Sequence, residues 1–343
     1  MNPLIHSLSR LELEAECQAL ALPAYRAGQI WAWLYAQRVT EWGEMKNLPT
    51  ALRAGLAAKF DLTGVKPLKT EGDPVGTRKI LVGLRDDECV EEVLIPARDR
   101  KTVCVSSQVG CRFACVFCAS GKGGYVRNLE TGEIVGQLLL AWREYQERPS
   151  NIVFMGMGEP FDNYDAVLKA IRIMNEAEGL NIGARHITIS TSGVVPGIAR
   201  LAEEGIQVEL SVSLHAPDNQ LRNQLMPVNR KYPLEALMAA CRRYAAATRR
   251  IITFEYTLIR GVNDTRPHAT ALARLLHSIP GRVNLIPLSP VDGFEGQAPE
   301  PGTAPLFIEV LGRAGINATT RISKGTNIDA ACGQLRLRSR KTL

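Results

Sequence analysis

From residue 102 onward the chain alternates between short strand-type runs and longer amphipathic stretches. β-type runs fall at 102–107, 151–155, 186–191, 207–214, 251–259, 283–288 and 317–321. Helical patterns separate most of them, at 131–145, 164–175, 234–246, 267–277 and 304–314. This rhythm predicts βαβ units and a parallel sheet, because parallel strands need a crossover that a helix supplies. Six or seven units in about 240 residues suit a complete or partial β/α barrel, with its chemistry on loops at the C-terminal ends of the strands.

The segment before the barrel is different. Residues 1–77 read as a small helical region. Ser9 and Glu12 form a capping box. Ala27, Ile30, Trp31 and Leu34 trace one buried helix face, and Leu52, Leu56 and Phe60 repeat at four-residue spacing after Pro49. Trp31 and Trp33 are expected to pack in a core rather than stack on a base. Residues 78–84 and 89–96 are β-type runs around a turn at 85–88, so 78–101 reads as a hairpin leading into a barrel at 102–343. The division expected is therefore α/β, with a helical N-terminal domain, a hairpin linker and a barrel. No internal repeat stands out.

Composition narrows the class. Hydrophobic residues are 45% of the 343 and charged residues 22%, the balance of a soluble globular protein. No apolar run reaches the 18 residues of a membrane helix, and residues 1–16 lack a basic leader followed by an apolar block. A cytoplasmic monomer is expected, with no membrane partner. In a reducing compartment the eight cysteines do not read as a disulfide framework. A net charge of +6 permits an anionic partner such as RNA without requiring one. Arg336, Arg338, Arg340 and Lys341 make a basic tail, either a solvated end or a phosphate contact.

Cys111, Cys115 and Cys118 have the spacing C-x3-C-x2-C just after the first barrel strand. Three soft thiolates on one loop can share a metal centre with one position left open. A zinc site completed by Cys104 is the alternative. Cys17, Cys89 and Cys241 match nothing catalytic and read as packing residues.

The cysteine segment, with Phe117 before the third cysteine, resembles the radical S-adenosylmethionine superfamily. Met155-Gly156-Met157-Gly158-Glu159-Pro160 strengthens the likeness, being similar to the glycine-rich segment that binds the methionine amino group. The resemblance narrows to the RlmN/Cfr family of radical RNA methyltransferases. It rests on 102–111, Gly124-Tyr125-Val126-Arg127-Asn128-Leu129, Ser190-Thr191-Ser192-Gly193, Ser213-Leu214-His215-Ala216-Pro217 and Asp329-Ala330-Ala331-Cys332-Gly333-Gln334-Leu335. These matches run in order over nearly the whole chain. Two departures stand out: Ser289 occupies a place where the family commonly has asparagine, and 321–327 drifts from the usual arginine- and acid-rich version.

The resemblance implies a 4Fe–4S cluster on Cys111, Cys115 and Cys118, with S-adenosylmethionine on the fourth iron. It implies S-adenosylmethionine contacts from Gly158, Glu159, Ser190, Ser213, Leu214, His215 and Ser289. It also implies that Cys332 is methylated by one S-adenosylmethionine, that a second yields the radical which activates that methyl, and that Cys104 resolves the adduct by a transient disulfide with Cys332. Glu91 is the implied proton acceptor; since Glu91 and Glu92 face opposite sides of a strand, the other is expected to face solvent. The implied substrate is carbon 2 of an adenosine in 23S rRNA and of the adenosine next to the tRNA anticodon, with an electron donor such as flavodoxin. Pro160 and Ser192 resemble this branch more than the one that methylates carbon 8, which is the alternative. Arg98, Arg100, Lys101, Arg249, Arg250 and the tail are candidate phosphate contacts.

Overall fold

The computed structural model describes residues 1–291, 293–321, 328 and 334. Three helices open the chain: α1 (Arg10–Ala19), α2 (Tyr25–Trp31) and α3 (Thr50–Lys59). Ser9 caps α1 reciprocally with Glu12, as expected. Ala27, Ile30, Trp31 and Leu34 are all buried, and a π-type turn (Ala32–Gln37) extends α2 until Arg38 enters the left-handed region at φ 54°. Pro49 stands one place ahead of α3 rather than within its first turn. Trp31 is buried, whereas Trp33 is only partly so and donates its indole N–H to the Asn47 side chain.

The helical reading of 1–77 fails at β1 (Val65–Gly72), a strand. Seven of its eight residues lie outside the buried class, so the apolar alternation that would mark a strand is missing. It is an edge strand, and Lys66, Lys69 and Glu71 line it as charges that discourage further pairing.

β1 pairs antiparallel with β2 (Arg78–Leu84), β2 with β3 (Cys89–Ala97), and β3 with β4 (Arg100–Cys104). The two hairpin strands thus belong to the same sheet as the barrel. A small ribbon, β5 (Gln108–Gly110) with β6 (Tyr125–Asn128), brackets a short helix α4 (Ala119–Lys122). After α5 (Thr131–Tyr145) the strands run parallel: β7 (Asn151–Phe154), α6 (Tyr164–Asn175), β8 (Ile187–Thr191), α7 (Val195–Glu203) and β9 (Glu209–Ser213). Then come α8 (Asn219–Leu225), α9 (Leu234–Thr248), β10 (Ile252–Leu258), α10 (Arg266–Leu276), β11 (Gly281–Pro287), α11 (Thr303–Arg313) and β12 (Asn317–Thr320). The sheet order is β1-β2-β3-β4-β7-β8-β9-β10-β11-β12, each parallel strand added beside its predecessor. It is a partial β/α barrel with an antiparallel extension.

One continuous apolar core joins the N-terminal helices to the barrel: Ile5, Trp31 and Leu34 share it with Leu94, Val103 and Ile134. Polar ties reinforce the junction. Ser7 Oγ accepts from the Gly132 amide at 2.9 Å, and Arg85 reaches the Asn2 carbonyl and the Asp61 carboxylate, both at 2.6 Å. Among the described residues no helix is long and apolar enough to cross a membrane.

Both faces of β3 are covered. Glu91 is buried and ion-paired with Lys79 at 3.2 Å. Glu92 on the opposite face is fully buried instead of solvent-facing, and neither of its oxygens has a hydrogen-bond partner. Strand alternation separates the two side chains, but the side that would be solvent in an isolated hairpin is roofed here, and the charges of Arg143 and Glu144 on α5 reach Glu92.

Candidate active site

The strand predicted at 102–107 ends as β4 at Cys104, and residues 105–107 continue as an irregular segment. It is held by borrowed partners. The Gln137 side chain accepts from Ser106 N at 2.8 Å and donates to Ser106 O at 3.0 Å. Ser106 Oγ donates to Glu91 O and accepts from Met157 N, while Gly156 N donates to Val105 O. The chain then forms β5 and crosses β6 at a tight neck, where Cys111 N donates to Gly124 O at 3.0 Å. Gly110 sits there at φ +75°, and a Cβ would lie 1.8 Å from Gly124 O, so no side chain fits.

Cys111, Cys115 and Cys118 lie on the loop this neck closes, and all three line one cavity. Gly158, Glu159, Ser190, Ser213, His215 and Ser289 line the same cavity from the ends of the parallel strands. Six of the seven residues assigned to S-adenosylmethionine are therefore brought together with the cysteines. Leu214, the seventh, is fully buried and is not on the wall. Its amide donates to Glu255 O and its carbonyl accepts from Arg222. Glu91 and Cys104 are buried and are not on that wall either. Cys332 lies outside the described residues, as do the basic tail, 322–327 and most of the final motif. Among the described residues no two cysteines are bridged.

Each wall residue is set by backbone. Gly158 has φ +99°, and a Cβ there would come within 2.6 Å of the Gln108 side chain. Glu159 accepts from Phe161 N at 3.1 Å through Oε1 and from Ser192 N at 2.6 Å through Oε2. Burial raises its pKa, and those amides oppose the rise. His215 has φ 57°, and its Nδ1 accepts from Thr257 N at 2.9 Å. That bond leaves the ring hydrogen on Nε2. Burial, with the nearby Arg222 charge, lowers its pKa to about 3, so the imidazole is a neutral donor. Phe117 packs edge-on against it at 4.8 Å.

Sequence reading missed several residues here. Glu255 and Ser192 line the cavity, and each keeps a buried oxygen without a hydrogen-bond partner: Oε2 of Glu255 and Oγ of Ser192. Ser192 falls within Ser190-Thr191-Ser192-Gly193, where the sequence marks it only as a feature of the carbon-2 branch. Arg222, fully buried on α8, binds the carbonyls of Ser192, Ser213 and Leu214. Nothing local in the sequence distinguishes it from a surface arginine. Cys17, Cys89 and Cys241 are buried as packing residues. Of the candidate phosphate contacts, Arg98, Arg100 and Arg249 are exposed, while Lys101 pairs with Glu147 and Arg250 with Glu209.

The family model described as "Radical SAM superfamily" matches residues 105–272, and "Ribosomal RNA large subunit methyltransferase N-terminal domain" matches 5–62. A protein of Geobacillus thermodenitrificans named "Probable dual-specificity RNA methyltransferase RlmN" is 48% identical over 342 residues, covering 99% of this chain and 94% of its own. One of the same name from Moorella thermoacetica is 49% identical, covering 97% and 96%. The chain belongs to the RlmN family. A crystal structure of a radical SAM methyltransferase from Sphaerobacter thermophilus superposes with a TM-score of 0.94 at 48% identity, covering 97% of this chain and 99% of that one.

Membership in the radical SAM superfamily implies a 4Fe–4S cluster and S-adenosylmethionine, and the RlmN-family residues present here fit both. Burial pushes the Cys111 thiol up to about 12; a backbone hydrogen bond from Phe113 opposes the rise, and Cys118 adds to it. Cys115 is held well above its usual value by burial and by Cys118 and Cys111, with Arg222 pulling it down. Two buried thiols held up in this way ionise together only around a cation. No three Cys, His, Asp or Glu side chains among the described residues converge on one ion-sized point. A single zinc needs that convergence, whereas a 4Fe–4S cluster takes each thiolate on a different iron. Beside the thiols, the Glu159 carboxylate, the neutral His215 N–H and serine hydroxyls suit an amino acid with polar sugar and base groups.

Proposed function

We propose that this chain methylates carbon 2 of adenosine in 23S rRNA and in tRNA next to the anticodon, through a methylated cysteine and with two S-adenosylmethionine molecules per turnover. The reading rests above all on one observation: the three cysteines of C-x3-C-x2-C share a cavity with Gly158, Glu159, Ser190, Ser213, His215 and Ser289. Adenine carbon 2 lies between two ring nitrogens and is too electron-poor to attack a methyl sulfonium. A carbon radical adds to it instead. Bound at Cys111, Cys115 and Cys118, the cluster with S-adenosylmethionine supplies a 5′-deoxyadenosyl radical.

The chain's own residues do the rest. Cys332 takes a methyl group by ordinary displacement at its thiolate, and that methyl, once activated, becomes the carbon that joins the base. The radical adduct would return one electron to the oxidised cluster and pass its carbon-2 proton to Glu91. Lys79 compensates the Glu91 charge at depth. The Cys104 thiolate then attacks the sulfur of Cys332, forming S–S and breaking the S–CH2 bond, and the departing carbon takes up a proton to become the methyl group on carbon 2. A thiol reductant must reopen that disulfide before the next cycle, and a flavodoxin-like donor supplies the electron for radical formation. The N-terminal helices and the exposed Arg98, Arg100 and Arg249 would carry RNA contacts. The functional division proposed is an RNA-binding region at 1–77, which ends in the edge strand β1, an entry hairpin at 78–101 and a catalytic barrel at 102–343.

Anaerobic reaction with S-adenosylmethionine and RNA, followed by nucleoside mass spectrometry, tests this. 2-Methyladenosine is expected in both RNAs. 8-Methyladenosine without 2-methyladenosine would establish the other branch, and full activity of Cys332→Ala would overturn the methylcysteine route.

A further inference from the structure

We infer that Arg222 is a positioning residue whose buried, uncompensated positive charge makes the iron–sulfur cluster easier to reduce. The inference rests on the cluster reading above and adds a residue no motif marks. Arg222 is 0% exposed. Its guanidinium donates to Leu214 O at 3.1 Å, Asn229 Oδ1 at 2.9 Å, Ser192 O at 2.6 Å and Ser213 O at 3.0 Å. Every acceptor is neutral. Among the described residues no carboxylate lies within ion-pair distance of it, and the groups that favour its charge are the thiols of Cys115 and Cys241. A buried cation is normally paired, because desolvation otherwise works against it. Here the cluster loop lies alongside. The carbonyl of Leu225, three residues on in the same helix, accepts from Val116 N at 3.1 Å, and Leu225 and Met226 pack with Phe117. One helix therefore carries the charge, holds the cysteine loop, and ties the ends of β8 and β9 that form the opposite wall.

Adding an electron makes a cluster more negative, so a fixed positive charge at low dielectric favours the reduced form. Carbonyl dipoles hold that charge in place without cancelling it. The loop ends of β8 and β9 thus meet on one cation, and the helix that bears it also holds the cysteine loop.

Asn229→Asp tests this most directly, since it keeps the arginine and places a carboxylate on it. Reconstituted protein is compared by iron and sulfide content and by anaerobic redox titration followed by electron paramagnetic resonance. Asn229→Asp and Arg222→Met are expected to shift the reduced-to-oxidised ratio at fixed potential about tenfold toward oxidised, ~59 mV for one electron. Arg222→Lys, which keeps the charge but not the fork, is expected within about twofold of the parent. Parent-like potential in Asn229→Asp with full iron and sulfide overturns the inference, as does Arg222→Lys falling as far as Arg222→Met, which marks a purely structural role. Should Asn229→Asp and Arg222→Met both fail to take up iron, uptake by Arg222→Lys decides: uptake supports the charge, and its failure overturns it. A parent protein without iron and sulfide sinks the cluster reading itself, a separate outcome.

Discussion

Gly158 shows how little freedom the site has. Its φ of +99° and the 2.6 Å approach to Gln108 leave no place for a methyl group. Gly158→Ala should displace the segment bearing Glu159 and weaken S-adenosylmethionine binding at least tenfold, read by equilibrium binding, with iron content unchanged. Cys104→Ala removes the resolving thiol in the proposed mechanism. An RNA–protein adduct should then accumulate, seen as a ribonuclease-sensitive band on denaturing gels; clean turnover would refute the role. Glu92 makes a stability prediction. Burial raises its pKa well above the ordinary value of 4.5, so the folded state holds the proton more tightly. As pH rises past 4.5 the unfolded chain ionises first and stability falls. Glu92→Leu should therefore stabilise by about 1–3 kcal/mol, more at pH 8 than at pH 5, in urea unfolding. At this scale the residues legible in sequence were those inside contiguous motifs, such as Cys111 and His215. Arg222 and Glu255 were not, because their partners come from strands dozens of residues away.

At the scale of elements, helices with long amphipathic repeats were legible to the residue: 131–145 and 164–175 are α5 and α6 as read. The hairpin strand at 78–84 also matches β2. β1 was not legible, because an edge strand exposed to water carries no alternation. The ribbon β5–β6 was hidden for another reason: three or four residues give too short a period to see. The first N-terminal turn makes its own pH prediction. His6 is buried against Tyr35, and burial lowers its pKa from 6.5 to about 4. The unfolded chain then binds the extra proton, so stability present above pH 6.5 is lost as pH falls toward 4, on the order of 3 kcal/mol in all. His6→Phe should flatten that part of the profile. An unchanged slope would show that the imidazole is not the titrating group.

At the scale of the whole molecule, the barrel was legible because seven strands and their crossovers repeat one rule, while the joining of helices, hairpin and barrel into one sheet and one core was not. Periodicity reports which face of an element is apolar, not which other element covers it. The shared core predicts shared unfolding. Three of the four tryptophans, Trp31, Trp33 and Trp42, lie before the sheet. Their fluorescence and the far-ultraviolet circular dichroism of the whole chain should therefore report coincident midpoints in denaturant; an earlier fluorescence transition would mean the N-terminal helices unfold alone.

The neck at Gly110 and Gly124 has a consequence for how the protein is built in the cell. Cross-strand pairing, not iron, closes the loop that bears the cysteines. In the proposed reading, three thiols that would otherwise wander independently are gathered on one closed loop before any iron arrives. Conformational entropy lost during folding is then not lost again on metallation. If these cysteines hold the cluster as proposed, apoprotein made under iron scarcity would wait as a folded scaffold, and one whose cluster oxygen has destroyed would be recharged without refolding the chain.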